Sequence, residues 1–146
     1  MISTDAVIDV HRRIRAARLS RCGGDEWVQP PANWAKIIRE SWPLVWSQEP
    51  SRCPDGWVDL LMAFSEHAVE LGGGGLYHDA FENVITGKLV IQRFYDDDRN
   101  GRLFETAHGY QTASVAICRV CGEAGDLRRI DHRPTRALCD DHFQGV

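Results

Sequence analysis

Apolar residues recur at helical spacing from the start of the chain. Val7, Val10, Ile14 and Ala17 fall on one face and predict a helix from about Thr4 to Leu19. Ser3 or Thr4 can cap it, and Gly23-Gly24 follow as a stop. Asp5 and Asp9 lie early and Arg12, Arg13, Arg15, Arg18 and Arg21 late, the order a helix dipole favours. Pro30-Pro31 then break the chain, and Asn33 is placed to cap a short helix carrying Trp34, Ile37, Ile38 and Ser41, which Pro43 interrupts. A longer apolar stripe follows. Trp57, Leu60, Leu61, Phe64, Ala68 and Leu71 predict a helix over Asp55 to Leu71, with Asp59, Glu66 and Glu70 off the stripe and Gly72 as terminator.

Past the glycine tract Gly72 to Gly75 the texture changes. Phe81, Val84, Ile85, Leu89, Val90, Ile91, Phe94 and Tyr95, interrupted by Thr86-Gly87, predict a β-hairpin over Ala80 to Tyr95. The glycine tract reads as a linker or helix stop. A phosphate cradle would follow a strand and close on Lys-Ser or Lys-Thr, and neither is present. Asp96-Asp97-Asp98, Asn100 and Gly101 form a polar loop, preferred over a magnesium site, before a short helix from about Glu105 to Ser114.

Composition bounds the whole. With 146 residues, 43% hydrophobic and 26% charged, the chain suits one ordinary folded domain, or a small domain with a metal-stapled appendage. A net charge of −4 and pI of about 5.8 disfavour a surface built throughout for a polyanion. No apolar stretch approaches the roughly 20 residues of a membrane span, and the N-terminus lacks signal-peptide texture, so no membrane association and a cytoplasmic location are expected. Five cysteines, an odd count, point to thiol or metal chemistry over a disulfide framework.

Two of them stand in Cys118-Arg-Val-Cys121-Gly122, and seventeen residues separate Cys121 from Cys139-Asp-Asp-His142. A two-residue spacing lets a tight knuckle aim both donors at one ion, and Gly122 permits the left-handed backbone such a turn uses. Leu127 to Ile130 and Thr135 to Leu138 can pair as a hairpin across Asp131 to Pro134 and bring the knuckles together. The expectation is a zinc ribbon over residues 116–146 after an α+β domain over residues 1–115, with structural Zn²⁺ on Cys118, Cys121, Cys139 and His142. His132 is an alternative fourth ligand. Three thiolates and an imidazole around Zn²⁺ leave one negative charge, which Arg119, Arg128, Arg129 or Arg136 can offset.

Other residues offer weaker leads. Cys22 and Cys53, with His67 or His78, are candidates for a second metal site. Of five tryptophans, Trp34 and Trp57 suit the core, while Trp42 and Trp46, four apart around Pro43, suit exposed anchors at an interface. Arg12, Arg13 and Arg15 read first as a solvated helix face and second as a contact for an acidic partner or polyanion.

The last ninety or so residues resemble a group of small, uncharacterised bacterial and prophage-encoded proteins that carry a C-terminal Cys-x2-Cys…Cys-x2-His zinc ribbon. The resemblance lies in Gly56-Trp57, in Gln92-Arg93-Phe94-Tyr95, in Ser114 to Cys121, in Gly122-x-x-Gly125-x-Leu127-Arg128 and in Leu138-Cys139-Asp140-x-His142. In that pattern a lysine-rich strand with a double glycine precedes the Arg-Phe-Tyr end, where this chain has Thr86 to Ile91. The resemblance implies a ribbon after an α+β body and brings no activity with it. No nucleophile, base and orienter declare themselves as a set. The expected function is therefore binding of a macromolecular partner by a non-enzymatic protein. A protein partner comes first, as for an inhibitor or immunity-type protein; nucleic acid comes second, and a metal-stabilised enzyme third.

Overall fold

The computed structural model describes residues 3–21, 30–72, 77–93, 101–129 and 133–144. Helix α1 runs Thr4–Arg21, and the Ser3 hydroxyl accepts from the Ala6 amide at 3.2 Å, satisfying one of the free N–H groups of its first turn. Its buried face is centred on Val7 and on His11, four residues later, with Ile8, Val10 and Ile14 packed at the edge of the core. Ala17, placed on the stripe by spacing, is exposed.

Helix α2, Trp34–Ser41, buries Trp34 and Ile38. Asn33 sits at its N-cap but its side chain makes no capping bond, so Asn33 does not cap as its type suggests. After a 3₁₀ turn at Asp55–Trp57, helix α3 spans Val58–Glu70 and carries Leu60, Leu61, Phe64 and Ala68 into the core. Gly72, at φ 103°, ends it in the left-handed region that favours glycine.

Strands β1, Tyr77–Glu82, and β2, Leu89–Arg93, pair antiparallel, with Phe81 opposite Val90 and Glu82 opposite Leu89. The outward amides of β2 do not form a bare edge. Leu89 N–H donates to Ser114 Oγ at 2.9 Å and Ile91 N–H to Gln111 Oε1 at 2.8 Å. Those side chains come from helix α4, Gly101–Ala113, and the 3₁₀ turn Ser114–Ala116 that continues it. The helix expected from about Glu105 therefore starts earlier, at Gly101, a residue the sequence reading gave to the polar loop.

Phe64 is the hub of the core, edge-on to Trp46, Tyr77 and Tyr110 at centroid distances of 6.2, 5.1 and 5.6 Å. Edge-to-face packing of this kind adds roughly 0.5–1.5 kcal/mol per pair beyond area burial. Asp59, off the apolar stripe by spacing, is 3% exposed. Arg18 of α1 meets it with two hydrogen bonds, Nε to Oδ1 at 2.8 Å and a terminal nitrogen to Oδ2 at 2.7 Å. Arg18 is thus part of the α1–α3 joint and not of a solvated face.

The C-terminal part pairs β3, Asp126–Arg128, with β4, Arg136–Leu138, antiparallel, Leu127 facing Ala137. The short helix α5, Asp140–Gln144, follows. The architecture is α+β, with helices first, a two-stranded sheet between and a zinc-ribbon-like arrangement at the end. No helix among the described residues is long and apolar enough to cross a membrane.

Candidate metal centre

Cys118 follows Ile117 out of the 3₁₀ turn into a tight knuckle. Gly122 N–H donates to the Cys118 carbonyl at 2.9 Å, and Cys118 N–H donates to the Glu123 carbonyl at 2.7 Å. Gly122 has φ 79°, which strains any other residue, and a Cβ there would lie 3.1 Å from the Gly56 carbonyl and 3.2 Å from Arg15 Nε, a tight fit that those neighbours would have to ease. The second pair is built differently. Cys139 precedes α5, whose first-turn carboxylates Asp140 and Asp141 suit the positive end of the helix, and Phe143 N–H closes the turn on the Cys139 carbonyl at 2.9 Å. That turn swings His142 back over the knuckle.

The four donor atoms of Cys118, Cys121, Cys139 and His142 lie within 4.8 Å of one another. Cys121 Sγ and Cys139 Sγ are 3.8 Å apart, far beyond a disulfide, and Cys118 Sγ is 3.6 Å from His142 Nδ1. An ion bound tetrahedrally at about 2.3 Å to sulfur and 2.0–2.1 Å to nitrogen sets sulfur pairs about 3.8 Å apart and sulfur–nitrogen pairs about 3.6 Å apart. Both separations fit. Cys139 Sγ to His142 Nδ1, at 3.1 Å, is shorter and would open slightly around an ion. Cys118 and Cys121 are buried, while Cys139 and His142 are half-buried.

The thiols differ in acidity. Burial acts to raise Cys118, but backbone amides of Cys139, Cys121 and Val120 that donate to its sulfur outweigh it and hold the thiol below its ordinary range. Cys121 is pushed up to about 12, first by burial and then by the charge of Cys118, against a lowering amide bond from Glu123. A set of three sulfurs so close disfavours charge without a cation, and a bound cation reverses that preference.

The knuckle is fastened to the body at several points. Gly56 N–H donates to the Arg119 carbonyl at 2.8 Å, Trp57 Nε1–H to the Ile117 carbonyl at 2.9 Å, and Arg119 N–H to the Ala137 carbonyl at 2.9 Å. A Cβ on Gly56 would stand 2.1 Å from the Cys118 carbonyl oxygen. From α1, His11 Nε2 lies 3.0 Å from the Gly122 carbonyl, and Arg15 donates to the Cys121 carbonyl at 3.3 Å and pairs with Glu123 at 2.9 Å. Burial first of all holds His11 below its usual pKa. It is therefore neutral, with the proton on Nε2 facing the carbonyl. Glu82 at the end of β1 receives both Arg119 and Arg136, each as an ion pair.

Several expected site residues fall elsewhere. Trp46 is not an exposed anchor: it is fully buried, its Nε1–H donating to Ser65 Oγ at 2.7 Å, because the turn after Pro43 folds it against Phe64 and Tyr77. Trp42 is half-buried against the core, and Trp34 and Trp57 are core residues as expected. Arg12 and Arg13 are exposed, whereas Arg15 is spent on Cys121 and Glu123. Arg119, Arg136 and Arg128 face carboxylates of Glu82 and Asp140. They are not simple counter-charges to the thiolates. Cys53 is buried, its thiol raised by burial and by nearby carboxylates, and joins no group of three or more ligands among the described residues. Cys22, Trp27, Phe94, Tyr95, Asp96 to Asp98 and the alternative ligand His132 lie outside the described residues.

Spacing alone did not single out His11, Glu82 or helix α5, and it read Arg15 as a solvated face or partner contact, not as a tie to the knuckle. Gly56 and Arg119, within the stretches that carry the family resemblance, were the available signal for the knuckle joint. No family model matches the chain, and no curated protein or solved structure matches it either. The chain itself has a small α+β fold and a C-terminal Cys3His cluster able to coordinate a metal ion.

Proposed function

We propose that Cys118, Cys121, Cys139 and His142 hold one structural Zn²⁺ and that the zinc-stapled protein works by binding a macromolecular partner, a folded protein before a nucleic acid. The observation that carries the metal reading is the cluster itself, three sulfurs and one imidazole nitrogen within 4.8 Å. Sulfur and imidazole donors in tetrahedral array suit zinc, and four protein ligands leave no position for substrate or water. His142 offers Nδ1, and each thiol gives up its proton to the ion's field.

Zinc fixes a piece too small to bury a core alone, and the ties through Gly56, Trp57 and Glu82 lock that piece to the body. Such an arrangement makes a rigid presenting surface, which is the property an inhibitor or immunity-type protein uses. Acidity over the chain as a whole, net −4, favours a protein partner over a nucleic acid. The test is capture from the native host, with salt raised between roughly 50 and 200 mM, beside binding of mixed DNA and RNA over the same range. Retention of a protein throughout supports the reading. Tight nucleic-acid binding with a steep salt dependence overturns it.

A further inference from the structure

Helix α1 and the segment from Ala116 to Gly125 border a recess of about 510 Å³. Small-molecule sites occupy roughly 300–1,000 Å³, so this one has room for a compact organic ligand. Ile8, His11, Arg12, Arg15 and Leu19 reach it from successive turns of α1, because residues three and four apart share a helix face. Ala116 and Ile117 stand opposite, beside the turn from Gly122 to Gly125 that closes the first knuckle. Its walls are therefore aliphatic and its polar groups few.

Two buried polar atoms of residues lining this recess have no hydrogen-bond partner among the described residues. His11 is 2% exposed; with its proton on Nε2 facing the Gly122 carbonyl, Nδ1 is left as a bare acceptor. Arg15, its side chain 12% exposed, spends one terminal nitrogen on the Cys121 carbonyl and on Glu123, and its Nε–H finds no acceptor. Desolvated and unsatisfied, both atoms destabilise the fold as it stands. Arg12, exposed on the same wall, makes no ion pair among the described residues, and its charge reaches His11. Among the described residues Glu123 is the one carboxylate that borders the recess, and Arg15 holds it at 2.9 Å. Asp59, whose charge also reaches His11, is held by Arg18. Two guanidinium groups against Glu123 leave one positive charge in excess on the lining.

We propose that this recess binds a short aliphatic hydroxy acid, its carboxylate on Arg12 and Arg15 Nε, its hydroxyl donating to His11 Nδ1 and its tail against Ile8, Leu19 and Ile117. A planar carboxylate matches the guanidinium groups, which supply charge-assisted donors. The hydroxyl supplies the donor that His11 lacks and that a plain carboxylate cannot give. The aliphatic walls select a carbon tail over inorganic phosphate. Small shifts of the lining side chains bring the two buried atoms within reach of the guest. Because the recess lies between α1 and the knuckle turn, the guest ties the body to the ribbon. This site takes a small molecule and stands apart from the macromolecular partner proposed above.

The test follows amide shifts of the zinc-loaded full chain on titration with 2-hydroxyhexanoate, with hexanoate, hexanol and inorganic phosphate as comparisons. Shifts should concentrate at residues 8–19 and 116–125. The hydroxy acid should bind roughly tenfold more tightly than hexanoate, the worth of one satisfied hydrogen bond, and hexanol and phosphate should bind more weakly than either. Arg12→Gln removes the free charge from an exposed residue that makes no ion pair, and should weaken the hydroxy acid tenfold or more with zinc content unchanged. Ala16→Phe, at an exposed position on the α1 wall, should fill the recess and abolish the shifts. Absence of shifts with the hydroxy acid, hexanoate or phosphate binding as tightly as it does, unchanged affinity in Arg12→Gln, or shifts that survive Ala16→Phe would each overturn the proposal.

Discussion

Removing Arg18 should expose how much of the fold depends on one ion pair. Its guanidinium bonds both oxygens of Asp59, with the side chains 11% and 4% exposed, so neither charge has water to fall back on. In Arg18→Ala the carboxylate of Asp59 stays between α1 and α3 without its partner, and breaking a buried pair in this way costs about 3–5 kcal/mol. With a typical total stability of roughly 5–15 kcal/mol, that is a large share of the fold. At a urea slope of ~2 kcal/mol/M, the midpoint should fall by about 2 M with little change in slope. The assay is equilibrium urea denaturation of zinc-saturated protein followed by tryptophan fluorescence. Replacing both partners, Arg18→Met with Asp59→Leu, should recover most of the loss, since well-packed apolar pairs often match buried ion pairs. A loss below about 1 kcal/mol in Arg18→Ala would refute the reasoning, because that is the worth of an exposed pair.

Other outcomes follow from the knuckle. Gly56→Ala should lower the thermal midpoint and weaken zinc retention against a chelator, because the added carbon would stand 2.1 Å from the Cys118 carbonyl oxygen; an unchanged midpoint and chelator competition would contradict the close approach. Cys139→Ser should release zinc and raise hydrogen exchange through β3 and β4 while the Phe64 core stays protected, and an ordered ribbon without metal would contradict it. His11 has its pKa depressed below 6.5 in the folded chain, so the unfolded chain takes up the proton first as pH falls. The stability that His11 adds is complete above about pH 6.5 and is lost as pH falls through its folded value. The advantage of wild type over His11→Gln, measured by denaturation of zinc-saturated protein, should therefore shrink from pH 7.5 towards the acid side, and a constant difference would contradict a buried neutral imidazole.

Local spacing disclosed what local physics decides. The α3 stripe, the hairpin and the two ligand pairs were legible because helical period, β-branched clustering and knuckle spacing are properties of neighbours in sequence. The tertiary partners were not. Period alone put Asp59 off the apolar stripe, yet Arg18, 41 residues away, makes its burial tenable. Trp46 looked free for an interface because Pro43 disrupts the pattern there, and only the pocket formed by Phe64, Ser65 and Tyr77 explains its burial. Val84 and Ile85 carry strand propensity, but the Asn83 and Gly87 turn chemistry overrode it. The ligand set was readable as a set. Its fastening by His11, Arg15 and Glu82 was not, because these residues reach the knuckle from elements distant in the chain.

The most direct measurement is the metal content and donor set of protein purified without added zinc, by elemental analysis joined to X-ray absorption at the zinc edge. The account predicts one zinc per chain, with three sulfur neighbours at about 2.3 Å and one nitrogen at about 2.0–2.1 Å. A folded ribbon with no metal, or a zinc shell made of oxygen donors, would contradict it.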